Sequence, residues 1–189
     1  PILTRLYTPE DFGAFALYTS VLGILAVVSC LRYELAIVLP EKDEDAANLL
    51  ILSILICFGM AALTLLLVAL FHIQLANLLG APQLAPWLWF MPLSLIAAGL
   101  FQVFNYWSTR RKQFKRLAAR TITQSTVTAS AQIVGGAATY VGPFGLIGGA
   151  ILGQLVATGR LAWQIIRDED NQLRSCINRV DIKRMLVRY

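Results

Sequence analysis

Charge is scarce in this chain of 189 residues. Charged residues make up 14% of the sequence and hydrophobic residues 57%, whereas soluble domains average about 25% and about 45–50%. The mean hydropathy is +0.64. This composition excludes an ordinary water-soluble domain and predicts a protein whose solvent is the lipid bilayer.

Cysteine and histidine are also rare. Cys30, Cys57 and Cys176 are too few and too scattered for a disulfide framework, and His72 is the only histidine. The sequence contains no metal-ligand spacing, no catalytic constellation and no phosphate-binding glycine loop after a strand. We therefore expect a protein that is not an enzyme and that uses no cofactor or metal.

The net charge of +5 does not indicate a nucleic-acid partner, because the basic residues flank apolar stretches and form no separate basic domain. The uncharged stretch at residues 12–31 spans about 30 Å as a helix, which is the thickness of the hydrocarbon core. Four more apolar stretches follow. The expected fold is all-α, a multi-pass transmembrane helix bundle with spans at about 12–31, 46–71, 86–108, 117–141 and 144–166.

Two helix starts carry capping signals. Thr8-Pro9 predicts a helix that begins near Pro9, and Asp43 is the expected cap of the second span. The end of the first span is ambiguous, because an apolar run resumes after Arg32 and continues to Leu39. If the helix runs to Leu39, Arg32 can point into a cavity between helices; if it ends at Leu31, Arg32 reaches to the membrane surface.

The fourth span carries a polar stripe on one side of a helical wheel. Lipid cannot satisfy such a stripe. The stripe either packs against other helices through side-chain hydrogen bonds or lines a water-filled cavity. Its members are Arg120, Thr121, Gln124, Ser125, Thr128, Gln132 and Thr139.

The fifth span carries Gly145, Gly149 and Gly153 at four-residue spacing, which predicts a face for close helix packing. The following segment, 167–189, is polar and basic. We interpret it as a cytoplasmic amphipathic segment that leads to a further lobe.

The basic residues indicate an orientation. Of the sixteen Lys and Arg residues, only Arg5 falls on one side of a five-span topology. Arg32, Lys42, the cluster at 109–116 and the residues from Arg160 onwards fall on the other side, which the positive-inside rule makes cytoplasmic. Arg120 and Arg160 fit the role of anchors at the membrane surface.

Three segments carry a family resemblance. The runs LTRLYTPEDFG (3–13), LRYELAIVLP (31–40) and NYWSTRRKQFKRLA (105–118) resemble bacterial polysaccharide biosynthesis membrane proteins. These are oligosaccharide flippases of the O-antigen type, within the multidrug/oligosaccharidyl-lipid/polysaccharide exporter superfamily. The resemblance implies two lobes of six helices around a central cavity. It leads us to expect that this chain is an N-terminal-half fragment with a missing second lobe.

The resemblance also implies a cargo, a polyprenyl-pyrophosphate-linked oligosaccharide, moved across the bacterial inner membrane for O-antigen, capsule or exopolysaccharide export. Such a cargo requires a cation for the pyrophosphate and hydrogen bonds for the sugars. We expect Arg32 to supply the cation and Glu34 to be the candidate for a coupling proton or sodium ion. The remaining candidates for the substrate cavity are Asn105, Arg120, Gln124, Ser125, Thr128 and Gln132.

Three other readings remain open. A drug antiporter of the same superfamily would want more acidic residues in its spans than this sequence has. A membrane-embedded glycan polymerase would need a sizeable catalytic loop, and the outer loops here are short. A non-transporting scaffold would bury the polar stripe of the fourth span in packing.

Overall fold

The computed structural model describes residues 3–138 and 143–177, without the side chains of Gln83, Ala138 and residues 168–177. Within this part of the chain every regular element is helical, which confirms the all-α fold. Thr139 and the segment 178–189, to which we assigned roles above, lie outside it. The helices are α1 Leu3–Leu6, α2 Pro9–Val28, α3 Tyr33–Ala36, α4 Asp43–Leu78, α5 Met91–Arg110, α6 Phe114–Ala138 and α7 Phe144–Ile177, with short 3-10 turns at Pro82–Leu84 and Trp87–Phe90 ahead of α5.

Four of these helices are long and apolar enough to cross a bilayer: Pro9–Val28, Asp43–Leu78, Trp87–Arg110 and Phe144–Arg167. Large apolar side chains remain exposed along α4, among them Leu55, which is the arrangement expected where lipid is the solvent. The protein is therefore a multi-pass helical membrane protein. Helix α6 is about 38 Å long but more polar, so the fourth predicted span, at 117–141, stays a prediction.

Helix α2 begins where its sequence predicts. The Thr8 hydroxyl accepts from the Asp11 N–H, and the Asp11 carboxylate accepts from the Thr8 N–H at 3.0 Å, which forms a capping box. The helix ends at Val28, so of the two alternatives that the sequence left open, an end near Leu31 and a continuation to Leu39, the structure has the shorter helix. Leu31 and Arg32 break it, because both adopt the left-handed conformation, with φ of 48° and 66°.

Helix α4 has 36 residues and begins at Asp43, ahead of the predicted span. The expectation that Asp43 caps it is wrong: Lys42 occupies the cap position without a side-chain hydrogen bond. The Asp43 carboxylate instead binds two guanidinium groups at the end of α5. Its oxygens lie 2.9 Å from Arg110 and 3.1 Å from Arg111.

The helices alternate in direction, so the start of α4 and the α5–α6 turn lie at one end of the bundle. We call it the basic end after the Lys and Arg residues of the turn at 110–116, although the first turn of α4 adds three acidic residues. Helices α5 and α7 are central. Half of the residues in the apolar segment of each of these helices are buried, against 11% in α2 and 22% in α4. One apolar core surrounds Trp107 near the basic end, and a second surrounds Tyr18 and Met91 near the opposite end.

Arg110 should be a stability determinant of the basic end. It donates to the carbonyls of Pro40 and Glu41 as well as to Asp43, and it thereby joins the α3–α4 linker to α5. We expect Arg110→Ala to lower the free energy of unfolding by about 1–3 kcal/mol, because charge-assisted hydrogen bonds are lost. Unfolding of the detergent-purified protein by SDS measures this. Lys115→Ala, at an exposed position, is the matched control and should stay within about 0.5 kcal/mol; equal effects would contradict the assignment.

Candidate functional site

Helix α6 packs along α7, and glycines on α7 set the distance between them. A Cβ atom at Gly149 would lie 2.6 Å from Gln132 Cγ and 2.9 Å from its backbone nitrogen. A Cβ at Gly153 would clash with the Thr128 hydroxyl, and one at Gly145 would lie 3.0 Å from the Gly135 carbonyl carbon. The glycine row predicted for packing thus lies directly against α6, where only glycine fits.

This packing divides the polar stripe of α6. Gln132 is buried between the helices, and its Nε2 donates to the Leu146 carbonyl of α7 at 3.1 Å. Thr128 lies against Gly153. Thr128 and Gln132 therefore pack against another helix, which is one of the two alternatives that the sequence left open for the polar stripe. Gln124 is half-buried, one turn from Thr128 on the same face, whereas Ser125 is exposed.

The exposed side of α6 carries several hydroxyl groups. Thr121, Ser125, Thr126 and Ser130 lie there, beside the exposed apolar side chains of Ile122 and Val134. Three of these hydroxyls donate to carbonyls of their own helix: Thr121 to Leu117 at 3.1 Å, Thr126 to Ile122 at 2.9 Å and Ser130 to Thr126 at 2.9 Å. Their protons are satisfied locally, so the oxygen lone pairs are what this side offers to a partner.

Tyr7 occupies a slot at the opposite end of the bundle. Its hydroxyl donates to the Gln132 carbonyl at 2.7 Å, and a Cβ at Gly136 would lie 2.9 Å from its ring. Burial, with a smaller contribution from the Asp11 charge, raises the pKa of Tyr7, so the phenol keeps its donating proton. No pattern in the sequence singles out Tyr7. The adjacent glycines Gly135 and Gly136 are the signal that another side chain can approach the α6 backbone closely at this point.

Arg32 and Glu34 lie in different environments. Arg32 is exposed and follows the end of α2. A role in a cavity between helices required the helix to continue to Leu39, which it does not. Glu34 is 2% exposed, and its Oε2 is buried without a hydrogen-bond partner among the described residues. It lies on α3, which packs on α4 and α5.

Arg120 is the buried cation of α6. It is 8% exposed, its Nε has no hydrogen-bond partner within the described part of the chain, and its Cζ lies 3.3 Å from the centroid of the Phe101 ring on α5. The anchor role expected from the sequence places this guanidinium at the surface, but the structure buries it. Asn105 is half-buried one turn beyond Phe101 on the same face of α5.

An open pocket of about 600 Å³ lies at the basic end, lined by residues 112–116 of the α5–α6 turn. Its lysines, Lys112 and Lys115, form no ion pair with any described residue, since Asp43 is taken by Arg110 and Arg111. The first turn of α6 contains no acidic residue. The pocket and the helix start therefore share a positive potential.

These features define an all-α, multi-pass membrane protein with a buried arginine and a hydroxyl-rich helix side. A family model described as polysaccharide biosynthesis protein matches residues 2–187, so the chain belongs to this family. No curated protein and no solved structure gives a significant match. The family resemblance seen in the sequence is confirmed, and with it a role in polysaccharide biosynthesis or export.

Substitution of Gly149 should separate α6 from α7. We expect Gly149→Ala to lower the free energy of unfolding by about 1–3 kcal/mol, because the new methyl group meets the Gln132 backbone, which cannot rotate away. SDS unfolding of the purified protein measures the change. Gly148→Ala on the same helix meets nothing within 4 Å and should be neutral or slightly stabilising. A neutral Gly149→Ala would show that the two helices are not in tight contact.

Proposed function

We propose that this protein translocates a polyprenyl-pyrophosphate-linked oligosaccharide across the bacterial inner membrane by alternating access and catalyses no reaction. The observation that carries the proposal is the exposed hydroxyl-rich side of α6 in a membrane protein of the polysaccharide biosynthesis family. Sugar hydroxyls need hydrogen-bond acceptors at every depth of the bilayer. The exposed oxygens of Thr121, Ser125 and Ser130 supply such acceptors along α6.

The proposed orientation follows from charge. The basic end, with the α5–α6 turn, faces the cytoplasm, and the end that holds Tyr7 faces outward. In this arrangement the cargo approaches from the lysine-lined pocket at 112–116 and leaves near the start of α2. A second lobe of the full-length transporter, together with membrane lipids, closes the passage along the exposed side of α6.

Cysteine accessibility tests whether the exposed side of α6 meets water. In a background with Cys30, Cys57 and Cys176 replaced by alanine, we expect Ser125→Cys to react with a water-soluble thiol reagent. Leu55→Cys is the matched control, because Leu55 follows Asp43 by 12 residues as Ser125 follows Phe114 by 11, which places both at a similar depth. Leu55 is 52% exposed on an apolar surface of α4, so its cysteine should meet lipid and stay unlabelled. Equal protection of both cysteines would contradict a passage along α6.

Glu34 is the proposed site for the coupling ion. A buried carboxylate without a partner is costly in a low-dielectric environment, and a bound proton or sodium ion compensates its charge. The charged residue nearest to it in sequence, Arg32, is exposed and forms no ion pair with it. Because α3 joins α2 to α4 and packs on α5, a change of charge at Glu34 acts where three helices meet.

Neutralising Glu34 should uncouple transport. We expect Glu34→Gln to reduce glycan export at least tenfold and to abolish ion-driven transport in proteoliposomes, while the folded protein is as stable as the parent or more so. Glu34→Asp should retain partial activity. Glu41→Gln, at an exposed position of the neighbouring linker, is the control. Ion-driven transport that persists in Glu34→Gln would exclude the coupling role, and loss of organic-cation efflux in place of glycan export would favour the drug antiporter.

A further inference from the structure

We propose that Arg120 is the phosphate-binding residue of this protein and that its ligand is the pyrophosphate of the carrier lipid; this assignment rests on the proposed function. The sequence analysis expected Arg32 in that role. The structure buries Arg120 within the bundle and leaves Arg32 exposed at the end of α2.

Arg120 has no counter-charge in the described part of the chain. The carboxylate that binds arginines at the basic end, Asp43, contacts Arg110 and Arg111. Among the described residues, the Arg120 guanidinium contacts the Phe101 ring, with 3.3 Å from Cζ to the ring centroid. A buried cation in such a site is unfavourable unless an anion accompanies it.

Stacking on Phe101 orients the guanidinium. The ring covers one face of the planar group, whereas the five N–H donors point outward in its plane. Nε itself is buried and donates to nothing within the described residues. A planar set of free donors matches the paired oxygens of a phosphate, and arginine binds phosphate in two parallel hydrogen bonds.

The surroundings favour a phosphate that arrives from the basic end. Arg116 lies one turn before Arg120 on the same face of α6, and Lys112 and Lys115 line the open pocket beyond it. These cations raise the local concentration of an anion before it reaches Arg120. Gln124, one turn deeper on the same face, lies where the first sugar would follow the pyrophosphate.

Binding of defined phosphate ligands to the full chain in a neutral detergent tests the assignment. The probes are farnesyl pyrophosphate, inorganic pyrophosphate and phosphatidylglycerol, and the variants are Arg120→Gln and Arg120→Lys. The control variant is Arg5→Gln, which removes an exposed arginine at the opposite end of the bundle. Equilibrium titration gives Kd, and thermal unfolding gives Tm with and without each probe.

Farnesyl pyrophosphate should bind the parent protein and raise its Tm. Arg120→Gln should weaken this binding by about 10- to 100-fold, the loss expected for charge-assisted hydrogen bonds, and Arg120→Lys by less. Arg5→Gln should bind within about threefold of the parent at physiological salt, where exposed charges are screened. Without ligand, Arg120→Gln should have an equal or higher Tm, because an unpaired buried charge is removed.

Three results would overturn the assignment. The first is unchanged farnesyl pyrophosphate binding in Arg120→Gln. The second is a lower Tm of Arg120→Gln without ligand, which would reveal a carboxylate partner within the chain. The third is equally tight, Arg120-dependent binding of phosphatidylglycerol that pyrophosphate does not displace, which would assign the site to a membrane phospholipid.

Glycan export separates this inference from the proposed function. If export depends on the chain and Arg120→Gln still binds and exports normally, the function stands and the Arg120 assignment fails. If farnesyl pyrophosphate binds through Arg120 but glycan export never requires the protein, the phosphate site stands and the proposed cargo is wrong.

Discussion

The close approach of α6 to α7 controls what the rest of the bundle can present. Helix α6 is too polar to count among the helices apolar enough to cross a membrane by themselves. Glycines at 145, 149 and 153 allow the α6 backbone to approach α7, so dispersion contacts and the Gln132–Leu146 hydrogen bond replace contacts with lipid. A bulky residue in this row would move α6 outward and expose its buried polar groups to acyl chains.

The same packing explains why one stripe of polar residues has two fates. Residues four apart on a helix share a face, so Thr128 and Gln132 both turn toward the glycine row. Ser125, three residues before Thr128, lies at the edge of this face and remains exposed. A helical wheel finds the stripe but cannot decide which part of it meets α7, because that depends on how α7 is rotated about its own axis.

Local signals in the sequence predict local structure well. The Thr8-Pro9 pair identifies the start of α2, and the glycine spacing identifies the packing face of α7. Asp43 shows the limit: its residue type suits a helix cap, yet two arginines from a distant turn bind it. Arg32 and Arg120 show the same limit, because burial depends on neighbouring helices, and no local pattern distinguishes the exposed arginine from the buried one.

Burial of Glu34 and Arg120 without partners in the described chain has a common consequence. Each weakens the fold in the absence of a ligand, because charge is taken out of water without compensation. They lie on different elements, α3 and α6, and no ion pair joins them. An ion pair between Glu34 and Arg120 would have removed the free-energy cost of burying them. It would also have removed their capacity to bind other ions. Their separation leaves a carboxylate and a guanidinium in different parts of the bundle, which suits the proposed coupling of a cation to a phosphate-bearing cargo.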